Sequence, residues 1–118
     1  PAGLQLYAAV AAEPLPADLP GRAMQLAVIH RELRGSAHLA AVIVAGVHPS
    51  VAHAIRRPND IGTFGWPDDL MITDDDRLNL VAADAATDKL SAGHYAGLSD
   101  EQRSAFVTGI DAMGDILL

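Results

Sequence analysis

The stretch HLAAVIVAGV, residues 38–47, is apolar on every side of whatever element it forms. Such a run is typical of a helix buried at the centre of a domain, because a surface helix keeps one polar face. Its β-branched residues would also suit a buried strand, and periodicity alone does not separate the two. A helix is favoured, because the flanking segments have helical patterns and no second strand-like run is present to pair with it. The chain is therefore predicted to be all-α.

The composition supports the same fold class. The 118 residues suit one domain, residues 1–118, and only 4% of them are aromatic although 50% are hydrophobic, which favours closely packed helices over sheet. The longest apolar run, Leu39 to Val47, is shorter than the roughly 20 residues that a membrane span needs. The absence of cysteine excludes disulfides and thiolate chemistry and fits a cytoplasmic protein. Because the chain opens on proline, it is interpreted as a piece of a larger architecture.

Prolines, glycines and capping residues predict four helices in the N-terminal half. A first helix over Leu4–Ala12 ends in a proline-rich segment, and Asp18 caps the second helix. Gly35 is predicted to end that second helix, and Ser36 to cap a third that contains the apolar run. Pro49 opens a fourth, short helix.

Two longer helices are predicted in the C-terminal half. Thr73 with Asp76, and Ser99 with Gln102, are spaced as capping boxes at the start of each helix. Each helix then carries apolar residues at helical spacing, which are expected to face the core. These residues are Leu78, Val81, Ala85 and Leu90 in the first, and Phe106, Ile110, Met113 and Leu117 in the second. Together these segments predict a compact bundle of five to six helices.

Three segments carry a combined pattern: HRELRGSAHLAAVIVAGV (residues 30–47), the pair GW (65–66) and ITDDDRLNLVAADAATDKL (72–90). Together they resemble the C-terminal half of a family of bacterial helix-turn-helix proteins that is distantly similar to MarR-type winged-helix regulators. The matching positions are Arg31, Arg34, Gly35 and His38, then Gly65 and Trp66, then Thr87, Asp88, Lys89 and Leu90. The resemblance implies a winged-helix-like core and a transcriptional regulator.

The chain departs from this pattern after the tryptophan. Where the family places a long helix and a β-hairpin wing, only PDDLM (67–71) stands between Trp66 and Ile72. Five residues are too few for a recognition helix, and the two aspartates would face phosphates. The winged-helix core is therefore interpreted as degenerate, and DNA recognition as the less favoured function.

The charge is unevenly distributed in a chain whose net charge is −7. Five arginines, four histidines and one acidic residue lie between Leu19 and Arg57, whereas twelve acidic and three basic residues follow from Pro58 to the end. Either the two halves fold together and neutralise each other, or the basic half meets a ligand or partner. Nucleic-acid binding that ignores sequence is disfavoured by the overall negative charge.

The strongest candidate cluster of ligand-binding residues lies in the basic half of the chain. Residues four apart share a helix face, so His30 and Arg34 can converge on a carboxylate or phosphate ligand, and His38 can join them across the break at Gly35. The predicted ligand-binding residues are His30, Arg31, Arg34, His38 and Trp66. The alternative for the basic residues is an interhelical ion-pair cluster, for example with Asp84 or Asp88. The alternative for Trp66 is that it anchors the shortened connection together with Phe64, rather than lining a pocket.

These patterns give one preferred function and two alternatives. The preferred function is non-catalytic: binding of a small anionic ligand, or subunit association in a homo-oligomer or with a partner domain. The first alternative is a DNA-binding regulator that acts as a dimer through the segment around Arg56 and Arg57. The second is an enzyme or enzyme subunit acting on a small acidic metabolite. No metal-ligand spacing, nucleophile elbow or phosphate-binding loop occurs, so no metal, cofactor or catalytic residue is predicted, nor a membrane partner.

Overall fold

A computed structural model gives the fold over residues 4–117, with side chains as far as Gly114. The α-helices, α1 to α5 in chain order, are Gln5–Ala11, Leu19–Val44, Pro49–Arg56, Asp74–Ala92 and Asp100–Leu117. Two 3₁₀ helices, Pro58–Phe64 and Gly93–Tyr95, complete the regular structure of this range, which contains no strand. The all-α prediction is confirmed.

Side-chain caps start three of the helices as the sequence predicts. Side-chain oxygens of Asp18, Thr73 and Ser99 each accept a backbone N–H of the following turn, at 2.8, 3.1 and 3.2 Å. Asp76 and Gln102 each accept the backbone N–H of the capping residue in return, which completes two capping boxes. These positions are set by local hydrogen bonding alone.

The prediction that Gly35 ends one helix and Ser36 begins another is wrong. Helix α2 runs without a break for 26 residues, about 39 Å, and Gly35 lies in its middle. A glycine inside a helix costs only about 1 kcal/mol relative to alanine. Leu33 and Ala37 are buried on either side of it, and this packing outweighs the cost.

The core lies where α2, α3 and α4 meet. Most of its members are small residues, which allow the helix backbones to approach closely. The buried cluster comprises Ala41, Val42, Val47, Ala52, Leu80 and Ala83. The apolar run of residues 38–47 is therefore buried on one side only, and the prediction that it is buried all round is wrong: Leu39, Ile43 and Val44 are exposed, Val44 by 88%.

Helix α4 packs on α2 through a different face from the predicted one. Its buried residues are Leu80, Ala83 and Thr87. The predicted stripe of Leu78, Val81, Ala85 and Leu90 faces outward instead. Two faces of this helix are apolar, and the one rich in small residues lies against the alanines of α2, because it permits the closer approach.

Helix α5 has few neighbours. Residues 100–112 are all exposed, and the ring of Phe106 lies against His30 of α2 and Tyr95, with centroid separations of 4.8 and 5.9 Å. Ile110 and Met113 face α2 across an open cleft. The predicted stripe thus points toward α2 without filling the space between the two helices. The side chain of Leu117 lies outside the described residues.

The connection after Gly65 is as short as the sequence indicates. No helix or strand forms between Gly65 and Thr73. The expected absence of a recognition helix and a hairpin in this segment is confirmed.

Candidate functional site

The chain bends sharply between α2 and α3. The two helix axes meet at 113° across the four residues Ala45–His48. Gly46 adopts a positive φ of 79°, a conformation that costs glycine little, and the Val47 N–H donates to the carbonyl of Val42 at 3.1 Å. His48 then caps α3, whose first residue is Pro49. Two helices at about 90–120° joined by three or four residues with a glycine define a helix-turn-helix.

Little of α3 is exposed. Ser50, Ala52 and Ala54 are buried, and Arg56 at the C-terminal end is the one exposed residue of the helix, followed by exposed Arg57. An open groove of about 230 Å³ runs between α2 and α3. Its polar lining consists of His38, His53, Arg56 and Arg57.

A cluster of three rings holds the shortened connection against α3. Trp66 and Phe64 stack with a centroid separation of 4.9 Å, and both meet the His53 ring edge-on, at 5.3 and 4.8 Å. Trp66 therefore anchors the connection to α3, as the second interpretation of the sequence had it. It does not line the grooves beside His30 and Arg34.

His30, Arg34 and His38 share one face of α2, because the helix continues through Gly35. Arg34 lies 3.9 Å from the Asp88 carboxylate, and His38 Nδ1 lies 3.8 Å from that of Asp84. The three side chains thus form a row along α2, and two of them, Arg34 and His38, lie beside carboxylates of α4.

Asp84 and Thr87 organise the row from the α4 side. The Asp84 carboxylate also pairs with Arg56 of α3, so this one acidic residue links three helices. The Thr87 hydroxyl donates to the Ala83 carbonyl at 2.7 Å. Its oxygen, 3.1 Å from His38 Nδ1, therefore accepts a hydrogen bond, which places the histidine proton on Nδ1.

His30 lies in a separate, more apolar setting. Its Nε2 hydrogen-bonds to the Tyr95 hydroxyl, and Phe106 meets its ring edge-on. Arg31, on the exposed side of the helix, pairs with Glu32. Of the five predicted ligand-binding residues, His30, Arg34 and His38 form one row on α2. Arg31 lies on the surface, and Trp66 lies apart from them, packed against α3.

Burial controls the protonation of the two histidines. It is the main cause that lowers the pKa of His38 below its ordinary value, and the positive charges of Arg34 and Arg56 lower it further. Burial alone lowers the pKa of His30 and raises that of Tyr95. Both imidazoles therefore favour the neutral form near neutral pH, which reduces the positive charge that the row offers to an anion.

Among residues 4–114, no group of three His, Asp or Glu side chains is arranged to hold a metal ion. Sequence reasoning missed Tyr95, Thr87 and His53 as members of these clusters. Thr87 carried a signal, since it belongs to the Thr-Asp pair of the resemblance, whereas Tyr95 and His53 stand in no recognisable motif.

The fold and the bend define a helix-turn-helix protein. Comparison of the sequence with known families agrees: residues 1–63 match a helix-turn-helix family, and the chain belongs to that family. The matched range contains α2, the turn and α3. No curated protein and no solved structure matches the chain.

The length and hydropathy of the helices bear on whether any of them could span a membrane. Within the described range, no single helix is both long and apolar enough to cross a bilayer, although α2 and α3 taken as one bent pair meet the length and composition required.

Proposed function

We propose that this chain is a DNA-binding helix-turn-helix module that contacts the duplex through Arg56 and Arg57 at the exposed C-terminal end of α3. The observation that carries the proposal is the bend of 113° between α2 and α3 within the range matched by the helix-turn-helix family. In such motifs the second helix is the one placed against DNA. The short connection after Trp66 argues against a second DNA-contacting element in that segment. The proposed contact through α3 does not require such an element.

The exposed arginines suit phosphate contacts rather than base recognition. Arg56 and Arg57 follow each other at the C-terminal end of α3, with side chains 55% and 72% exposed. Helix α3 has eight residues and is about 12 Å long, so few of its side chains would reach base edges. Phosphate contacts position a protein on DNA but carry little sequence information.

Carboxylates beside the two arginines weaken the expected contact with phosphates. Arg56 pairs with Asp84, and Arg57 lies 3.8 Å from Asp60. Each pair must open or share its arginine when a phosphate binds, and the net charge of −7 repels the duplex. Weak, salt-sensitive binding is therefore expected, with a slope of log K against log salt of about −2 if both arginines contact phosphates.

Fluorescence anisotropy with duplex DNA at several salt concentrations tests the proposal. Arg56→Ala with Arg57→Ala should remove most binding and flatten the salt slope, whereas Arg103→Ala, on α5, should leave both unchanged. Asp84→Asn should strengthen binding, because it releases Arg56 from its carboxylate. Equal binding by the double variant and the wild type would refute the contact through α3.

Binding of a small anion beside His30 and Arg34 is a second proposal. It is favoured by an open groove of about 420 Å³ that His30, Arg31, Arg34 and Tyr95 line. Small carboxylates should then raise the melting temperature of the wild type but not of Arg34→Ala, and an equal response in both would remove the site.

A further inference from the structure

Helices α2 and α5 enclose an apolar cleft that none of the described side chains, residues 4–114, fills. The cleft measures about 450 Å³ and shares Ala27, His30 and Ile110 with the wall of the neighbouring groove of about 420 Å³. Its walls are mostly apolar, lined by Leu26, Ile29, Phe106, Ile110 and Met113 among others. Water in such a cleft finds few hydrogen-bond partners, so filling it with apolar groups is favourable.

The two helices also expose apolar side chains around the cleft. Leu26 on α2 is 49% exposed, and Phe106 and Ile110 on α5 are 38% and 43% exposed. Together with the open cleft they form one apolar surface, of the kind that marks an interaction site in soluble proteins. A segment of about one helix width would cover it.

The charges beside the cleft indicate what covers it. The first part of α2, residues 19–34, carries three arginines and one glutamate, whereas α5 carries four acidic residues and one arginine. In the part of the chain with described side chains, no ion pair joins α2 to α5. Ion pairs with the same two helices of another molecule can therefore involve Arg22 of α2 and Glu101 and Asp111 of α5.

We propose that α5 of a second copy of this chain fills the cleft between α2 and α5, and that the second copy receives α5 in the same way. The result is a two-fold, four-helix interface in which basic α2 and acidic α5 helices alternate. The same patch serves both copies, as two-fold symmetry requires. Phe106 and Ile110 supply the apolar centre, and Arg22 of α2 meets the carboxylates of α5 at the rim. The interface does not depend on DNA.

Sedimentation velocity of the full chain over a range of concentrations tests the interface directly. The wild type should sediment as a dimer, and Ile110→Asp should sediment as a monomer with unchanged helical circular dichroism. Val81→Asp, a matched change on the outer face of α4, should remain dimeric. A wild type that is monomeric throughout, or a dimer that only Val81→Asp disrupts, overturns the proposal.

Cross-linking gives a second readout that does not require a destabilising charge. Because the chain has no cysteine, Val107→Cys and Val81→Cys each introduce a single thiol on valines that are 56% and 65% exposed. A flexible bis-maleimide should yield covalent dimers with Val107→Cys and few with Val81→Cys. Equal or reversed yields would place the contact elsewhere. Since neither assay contains DNA, loss of dimers and loss of DNA binding are distinguished.

Discussion

Helices α4 and α5 start alike and pack differently. They have 19 and 18 residues, both begin with a capping box, and both carry acidic residues in the first turn. Helix α4 nevertheless buries three residues against α2, whereas residues 100–112 of α5 are exposed throughout. The comparison separates what starts a helix from what holds it in place.

The difference arises from side-chain size at the contact with α2. Helix α4 presents Ala83 to the alanines of α2 and comes close enough to bury Leu80. Helix α5 presents Phe106, whose ring contacts His30 and lines the open cleft between the two helices. Local hydrogen bonds start both helices, but only complementary shape provides burial.

The largest effect is expected for truncation of the core of α4. Leu80→Ala should lower the free energy of unfolding by about 2–5 kcal/mol, because Leu80 is 2% exposed and its loss leaves a cavity. Leu78→Ala, two residues away on the outer face, should change it by less than about 0.5 kcal/mol. Urea unfolding of both variants measures the contrast, and similar losses would mean that the sequence-predicted stripe is buried after all.

A medium effect is expected from removal of the helix caps. Thr73→Ala should cost about 1 kcal/mol of global stability, because α4 belongs to the core. Ser99→Ala removes the same kind of cap from α5, but amide exchange should increase in α5 alone, with less change in the global unfolding transition. Equal global losses for the two variants would show that α5 unfolds together with the core.

A smaller effect is expected from protonation of the two histidines. The folded-state pKa values of His38 and His30 lie below the ordinary value of 6.5, so the unfolded chain binds more protons as the pH falls. The corresponding stability is present above about pH 6.5 and is lost as the pH falls through the folded-state values.

Urea midpoints between about pH 8 and pH 5 measure this loss. His38→Gln should flatten the dependence that arises at the contact with α4, and His30→Gln the part that arises beside α5. A midpoint that rises on acidification contradicts the assignment.

Much of the fold was predictable because helix ends depend on neighbouring residues. Asp18, Thr73 and Ser99 form the predicted caps, and Pro49 opens α3. The failure at Gly35 has the opposite origin, since packing on distant residues carries the helix through a locally unfavourable position. The wrong face of α4 has the same cause: a pattern of large apolar residues does not reveal that alanine and threonine make the contact.

The candidate site was predictable only in part. Spacing placed His30 and Arg34 on one face, whereas His38 was expected to join them across a break at Gly35 that does not occur. The alternative of ion pairs with Asp84 and Asp88 matches the observed geometry. The path of the chain after Phe64, which brings Trp66 onto His53 instead, depends on a 3₁₀ helix without periodic signal. The segment around Arg56 and Arg57 was named from the sequence as a DNA contact in the first alternative, and the structure places both arginines, exposed, at the C-terminal end of α3.

The continuous α2 acts as a fixed spacer between two surfaces. Its N-terminal half borders the cleft, and its C-terminal end carries the turn into α3, so one rod of 26 residues sets the separation between them. In a two-fold pair joined at the cleft, the two copies of α3 stand at a distance that this rod dictates. Inserting one helical turn after Gly35 would lengthen each arm by about 5.4 Å and also rotate its tip, altering the spacing of contact points along a duplex.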